Sequence, residues 1–118
     1  MAVTLANVSA DTGEIYDAVD GGTTAVTSII ARAGAFVALQ TGTTTGYDTV
    51  IRPLVDSMVA NQVIGGVDAV NKTIGALSVG QKDMRLMYEN FWQEARKAAI
   101  IKGFSLDGFR IIMKDSNQ

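Results

Sequence analysis

Four carboxylates near the start of the chain recur at a three-residue spacing, and they are the side chains that could most readily do chemistry. Asp11, Glu14, Asp17 and Asp20 would share roughly one face of a helix. Glycoside hydrolysis uses a pair of carboxyl groups in this way, as acid and base or as acid and nucleophile. A solvated acidic face has the same spacing. We favour that interpretation, because nothing in the sequence marks a pocket or would separate the pKa values of these groups.

The residue types that are missing exclude other chemistry. The chain has no cysteine and no histidine. Disulfides, thiolate nucleophiles, zinc sites built on Cys or His, and catalysis by a histidine acid or base are therefore excluded. A metal site of carboxylates alone would need clustered acidic residues, and the acidic residues here are scattered. We expect no enzymatic activity, no cofactor and no metal site.

Two further patterns have a functional and a plain interpretation. The loop TGTTTG at residues 41–46 is rich in glycine, but no Lys-Ser or Lys-Thr pair follows it, so it is a flexible connector rather than a phosphate-binding loop. The segment 81–103 carries five basic and three acidic residues among its aromatic residues. This pattern could form a nucleic-acid surface, although an outer face of salt bridges at helical spacing explains it better.

Composition limits the class of protein. The 118 residues suit one domain, and 47% of them are apolar, with a mean hydropathy of +0.20. No apolar run approaches the roughly 18 to 20 residues that span a bilayer, so the apolar surface is expected in a core or in partner contacts. The net charge is −2 and the N-terminus resembles no signal peptide. We therefore expect a cytoplasmic protein with no membrane contact and no general attraction to nucleic acid.

Apolar spacing and capping residues predict two helices in the first part of the chain. A short first helix is expected to begin at Ser9, Asp11 or Thr12 and to end before Gly21. The second helix is expected to run from Thr23 or Thr24 to about Gln40. Its predicted apolar face consists of Val26, Ile29, Ile30, Ala33, Phe36 and Val37.

Two more helices are predicted in the second part. Pro53 places the start of the third near Arg52 or Pro53, because proline is tolerated in a first turn, and Gly65 ends this helix. The fourth runs from Gln81 to Gly103, where Gly103 and Phe104 suit a left-handed cap with an apolar contact. The predicted buried residues of the third are Leu54, Val55, Met58, Val59 and Val63. Those of the fourth are Met84, Met87, Tyr88, Phe91, Ala95, Ala98 and Ala99, with Trp92 at one edge.

The predicted fold class is mainly α: a small bundle of about four helices with a short extended or hairpin segment at residues 67–80 and a C-terminal tail. Residues 1–103 form the predicted helical domain and 104–118 the tail. Phe109 to Met113 could form a short strand, or an apolar segment that orders only on a partner. Phe91 and Trp92 point about 100° apart on a helix. They lie on one wide buried face, or one faces the core and the other a neighbouring subunit.

Three stretches give the chain a resemblance to a known family. TSIIARAGAFVALQTG, YDTVIRPLVDSMVANQVI and SVGQKDMRLMYENFWQEARKAAIIKGF together cover about two-thirds of the sequence. In order and pattern they resemble the helices of the head–tail connector, or adaptor, proteins of tailed bacteriophages. The short opening element and residues 67–79 depart from the family pattern.

The resemblance implies a structural virion protein that is assembled in the host cytoplasm. Identical subunits, commonly twelve in this family, would form a ring between the portal protein and a stopper or tail-completion protein. DNA would pass through the channel without sequence-specific binding. Eight residues are the predicted subunit or partner interface: Phe91, Trp92, Phe104, Leu106, Phe109, Ile111, Ile112 and Met113. The alternatives are a small helical binding or regulatory module that acts as a monomer or dimer, and a hydrolase that uses carboxylates.

Overall fold

The computed structural model describes residues 3–13, 16, 19, 21–65 and 81–109. Their four long helices are α1 (Leu5–Thr12), α2 (Gly22–Thr41), α3 (Asp48–Gly65) and α4 (Gln81–Ile101). No β-strand occurs among them. The prediction of a mainly α bundle is confirmed, whereas the extended or hairpin segment predicted at 67–80 lies outside the described residues.

The first helix begins earlier than the sequence predicted. Thr4 caps α1: its hydroxyl oxygen accepts from the Asn7 N–H at 3.3 Å, and the Asn7 side chain accepts from the Thr4 N–H at 3.1 Å. This reciprocal pair is a capping box, with asparagine in place of the usual Glu or Gln. The predicted caps Asp11 and Thr12 therefore lie in the last turn, and Gly13, at φ 56°, ends the helix.

The second helix agrees with the predicted bounds and buried face. Val26, Ile29, Ala33 and Val37 are buried. Gly21 occupies the N-cap without a side-chain hydrogen bond, so neither Thr23 nor Thr24 is the cap. By length and hydropathy alone α2 could cross a membrane, contrary to the expectation from its sequence, but mostly buried core helices of soluble proteins and signal sequences near the N-terminus meet the same criteria.

Proline lies inside the third helix rather than at its start. The Tyr47 carbonyl accepts from the Val50 N–H at 3.0 Å and from the Ile51 N–H at 2.9 Å, so α3 begins at Asp48 and Pro53 falls in its second turn. A proline there removes one backbone hydrogen bond, at a cost of about 3 kcal/mol. Val50 and Ile51, which precede Pro53 in the helix, are buried, and their burial favours the longer helix.

The fourth helix ends as predicted. Gly103 is left-handed at φ 92°, its N–H donates to the Ile100 carbonyl at 3.0 Å, and the Phe104 N–H donates to the Ala99 carbonyl at 3.0 Å. These two bonds define a Schellman cap. The Phe104 ring then meets the Tyr47 ring edge-on, with 5.8 Å between their centroids.

The most extensive helix contact joins α3 and α4, which run antiparallel. Tyr47, before α3, meets Phe104, after α4, and further along the pair Asp56 and Phe91 line one groove. The buried centre of α4 is formed by Trp92, Ala95 and Ala99, so Trp92 lies in the middle of the buried stripe rather than at its edge.

The chain beyond α4 folds back onto the core. Leu106 and Phe109 are buried, and the Phe109 ring lies 5.2 Å from the Phe36 ring on α2. Asp107 to Phe109 are helical, so a strand does not begin at Phe109. The predicted tail therefore does not start at Phe104, because residues 104–109 belong to the packed domain. Residues 110–118 lie outside the described residues.

Candidate functional site

Two aspartates and an arginine from different helices meet where the end of α1 touches α3. The Arg52 Nε donates to Asp11 Oδ2 at 2.7 Å, and its Nη2 donates to Asp11 Oδ1 at 2.8 Å. One turn further along α3, the Asp56 carboxyl group forms a side-chain hydrogen bond with Asp11. Arg52 and Asp56 meet Asp11 together because residues four apart share one face of a helix.

Asp56 is the unusual member of this cluster. It is 1% exposed, and its Oδ1 has no hydrogen-bond partner in the described part of the chain. The other two buried polar side chains there, Thr12 and Ser57, each donate to a carbonyl of their own helix at 2.7 Å. Asp56 has no comparable partner for Oδ1, so a buried acceptor is left unsatisfied, which is uncommon in folded proteins.

The environment separates the pKa values of the two aspartates. Burial, followed by the hydrogen bond to Asp11 and repulsion from that carboxylate, raises the pKa of Asp56 to about 9. The hydrogen bond from Arg52, assisted by the one from Asp56, lowers the pKa of Asp11 to about 2. The pair therefore holds one proton at neutral pH, with Asp56 donating to the Asp11 carboxylate.

The cluster lines an open groove of about 570 Å³ between α1, α3 and α4. Its other lining residues are Asp48, Thr49, Pro53, Phe91 and Glu94. The groove thus contains four carboxyl groups and one guanidinium, with an aromatic ring on the α4 side. Its charge is negative even when Asp56 is protonated.

The sequence did not reveal this cluster. Asp11 was expected on an acidic face shared with Glu14, Asp17 and Asp20, and these three lie outside the described residues. Contrary to that expectation, Asp11 lies in a groove, and residues of α3 lower its pKa. One signal was present: Asp56 is the single charged residue in the otherwise apolar or small run LVDSMVA.

Separated pKa values also occur in acid–base catalysis, but this geometry does not favour it. A catalytic acid must reach a substrate, and almost none of the Asp56 surface is exposed. No group of three or more possible metal ligands occurs within residues 3–13, 16, 19, 21–65 and 81–109. As it stands, the cluster orders the junction of α1 and α3 and gives the groove its charge.

The residues predicted as an interface are divided by the structure. Trp92, Leu106 and Phe109 are at most 2% exposed, so they are core residues with too little surface to carry a contact. Phe104 packs partly against the core, and Phe91 is half-buried in the groove wall. Phe91 and Trp92 therefore face different directions, with Trp92 in the core. Ile111, Ile112 and Met113 lie outside the described residues.

Four other large apolar side chains, which the sequence analysis did not predict as interface residues, are exposed to solvent. Leu39 is 81% exposed, Leu86 60%, Ile100 61% and Ile101 84%. Leu86 also lines a second open groove along α4, of about 660 Å³, together with Met87 and Phe91. Leu86, Ile100 and Ile101 were missed because the predicted buried stripe of α4 followed the residues with the most regular spacing.

Comparison with protein-family models, with curated proteins and with solved structures finds no match to this chain.

Proposed function

We propose that this protein is a structural, non-enzymatic subunit of a tailed-bacteriophage head–tail connector. Copies of it assemble into a ring in the virion, between the portal protein and a stopper or tail-completion protein. The ring continues the DNA channel. The resemblance of three helical stretches to that family suggests the class. One feature of the fold carries the proposal that the subunit assembles.

That feature is an apolar end of the bundle. Tyr47 contacts Phe104, and Phe36 contacts Phe109, so the end of α2, the start of α3 and the end of α4 lie at the same end. Three large apolar residues are exposed at this end among the described residues: Leu39 at 81%, Ile100 at 61% and Ile101 at 84%.

Large apolar side chains gathered at one end favour a partner. Burying each fully is worth about 1.5–3 kcal/mol. Isolated exposed apolar residues are ordinary, but neighbouring ones mark protein contacts more often. The mild net charge of −2 also suits a channel through which DNA must slide without adhering.

The test is assembly by the purified chain, alone and with portal protein. Light scattering gives the mass in solution, and negative-stain images show whether closed rings or portal complexes form. We expect rings or portal-bound rings. A chain that forms no ring and never joins a portal complex would overturn the proposal. It would favour the alternative, a helical binding or regulatory module that acts as a monomer or dimer.

A further inference from the structure

The acidic groove has the features of a site that receives a positive side chain. Its lining carries Asp11, Asp48, Asp56 and Glu94 against the single cation Arg52. Arg52 is already engaged by Asp11 through both of that residue's oxygens. The unpartnered Oδ1 of Asp56 belongs to the same lining, so a buried acceptor is left without a donor.

The outward face of α2 has the complementary character. Arg32 is the only charged residue in this helix, is exposed, and forms no ion pair with another described residue. Ser28, Ala31 and Ala35 lie on the same exposed face, and only 22% of the most apolar window of α2 is buried. Such small side chains let another protein surface approach closely, with the arginine projecting from it.

Other basic residues are less suited to fill the groove. Arg96 already lies 3.8 Å from Asp107, and the Lys102 ammonium lies 5.5 Å from the centre of the Tyr47 ring. Lys97 lines the second groove of α4. Among the described residues, Arg32 is an exposed cation without an ion pair on an uncovered face of small residues, whereas Arg85, which is also exposed, lies on α4, one of the helices that form the groove.

We propose that the acidic groove of one subunit binds Arg32 of a second copy of this chain. This inference rests on the proposed function and names a contact through which the ring forms. The planar guanidinium enters the groove, donates to the exposed carboxylate of Glu94 and stacks against the half-buried Phe91 ring. The occupant is a protein side chain, because arginine supplies both the donors and a flat face.

The contact has a geometric consequence. The groove is formed by α1, α3 and α4, whereas Arg32 lies on α2 and does not line the groove. Each copy thus uses one surface to give an arginine and a different surface to receive one. Such a head-to-tail contact extends from copy to copy and closes into a ring when the rotation between copies permits.

Charge reversal tests the pairing. Arg32→Glu and Glu94→Arg are each expected to weaken association at least tenfold, measured by sedimentation velocity over a range of concentrations. Combining both changes in one chain is expected to restore association, because the pair is then reversed. Mixing the two single variants is expected to restore species larger than a dimer. The exposed Arg85→Glu provides the matched control, since it makes the same charge change on α4 and is expected to assemble normally.

The outcomes separate this inference from the proposed function. Circular dichroism first establishes that each variant is folded. If the wild type assembles and the folded Arg32→Glu and Glu94→Arg variants assemble equally well, the groove contact is wrong while the connector proposal stands. Failure of the double variant to recover, with both single variants impaired, also overturns the pairing. A wild type that neither forms rings nor joins portal overturns both.

Discussion

Arg52 holds Asp11, 41 residues earlier in the chain, through two parallel hydrogen bonds of 2.7 and 2.8 Å. The fork fixes the last turn of α1 against the second turn of α3. A single bond would let the short helix pivot, whereas two bonds from a planar group set its orientation as well as its distance. The same carboxylate accepts from Asp56, so three side chains from two helices meet where α1 joins the bundle.

Substitution of Asp11 tests whether the fork anchors α1. Asp11→Asn keeps the shape but replaces one accepting oxygen with an NH2 group that repels the arginine. We expect a modest fall in the thermal midpoint, since the Arg52 side chain is 45% exposed and partly exposed ion pairs contribute little. Arg52→Lys should lower the thermal midpoint by a similar amount, because lysine keeps the charge but cannot form two parallel hydrogen bonds. An unchanged midpoint in both variants would show that the fork does not hold α1.

Stability should depend on pH in two windows. The pKa of Asp56 is raised to about 9, so the folded state retains a proton that the unfolded chain loses near pH 4. Its contribution is complete below about pH 4 and falls as the pH rises toward 9. The pKa of Asp11 is lowered to about 2, so its contribution is present above about pH 4 and is lost as the pH falls toward 2. Urea unfolding between pH 2 and pH 9 should therefore show that the combined contribution of Asp11 and Asp56 to the free energy of unfolding is greatest near pH 4 to 5.

Asp56→Asn isolates the buried member of the pair. Its amide can still donate to Asp11 and carries no charge at any pH. We expect the variant to lose most of the decline between pH 5 and pH 9 and to be more stable than the wild type at pH 9. Each unit of pKa difference corresponds to about 1.4 kcal/mol, so a gain of at least that size is expected. The groups facing Asp56 are Asp11 on α1, Arg52 on α3 and Glu94 on α4. An equally steep decline in the variant would assign the pH dependence elsewhere.

The sequence predicted those parts of the fold that depend on local period. Four buried residues of α2 were predicted correctly: Val26, Ile29, Ala33 and Val37. A helix repeats every 3.6 residues, so this face can be recognised from residues that are close together in the sequence. The predicted start of α3 was wrong. Pro53 suggested a first turn, but burial of the apolar residues before Pro53 favours a helix that begins five residues earlier, at Asp48. This balance depends on the neighbouring helices.

The carboxylate cluster was beyond such reasoning for a different reason. Asp11 and Asp56 come together only when α1 packs on α3, and no spacing within either helix records that contact. Residues 104–109 were similarly hard to place. A segment of six residues that contains a turn is too short to show the repeating apolar pattern from which buried positions are predicted. Phe109 contacts Phe36, which belongs to a helix more than sixty residues earlier.

Truncation of the residues after α4 tests their place in the core. Leu106 is fully buried and Phe109 is 2% exposed. Leu106→Ala is expected to lower the free energy of unfolding by about 2–5 kcal/mol, and Phe109→Ala by about 3–5 kcal/mol. Chemical denaturation measures both. Gln93→Ala, at an exposed position of α4, is the control. If both core variants were as stable as this control, the segment would be a tail rather than part of the domain.

The exposed end of the bundle should contribute to assembly and little to folding. Ile101 is 84% exposed in the last turn of α4, so Ile101→Ser removes little buried surface within one chain. We expect a nearly unchanged thermal midpoint together with weaker ring formation, measured by light scattering. Loss of folding with this change would place Ile101 in the core, and normal assembly would remove it from the interface.

Phe91 and Trp92 are adjacent aromatic residues with different expected effects. Trp92 is 1% exposed at the centre of α4, so Trp92→Ala should cost about 3–5 kcal/mol of stability and leave a cavity. Phe91 is half-buried in the wall of the acidic groove, so Phe91→Ala should cost less stability and weaken association of copies more than its effect on folding explains. Phe91→Tyr is the control, because it keeps the ring on which an arriving guanidinium would stack. Denaturation and sedimentation measured on the same samples separate the two effects. If Phe91→Ala and Trp92→Ala lost equal stability and both associated normally, Phe91 would be a second core residue. Its ring would then not contact a partner in the groove.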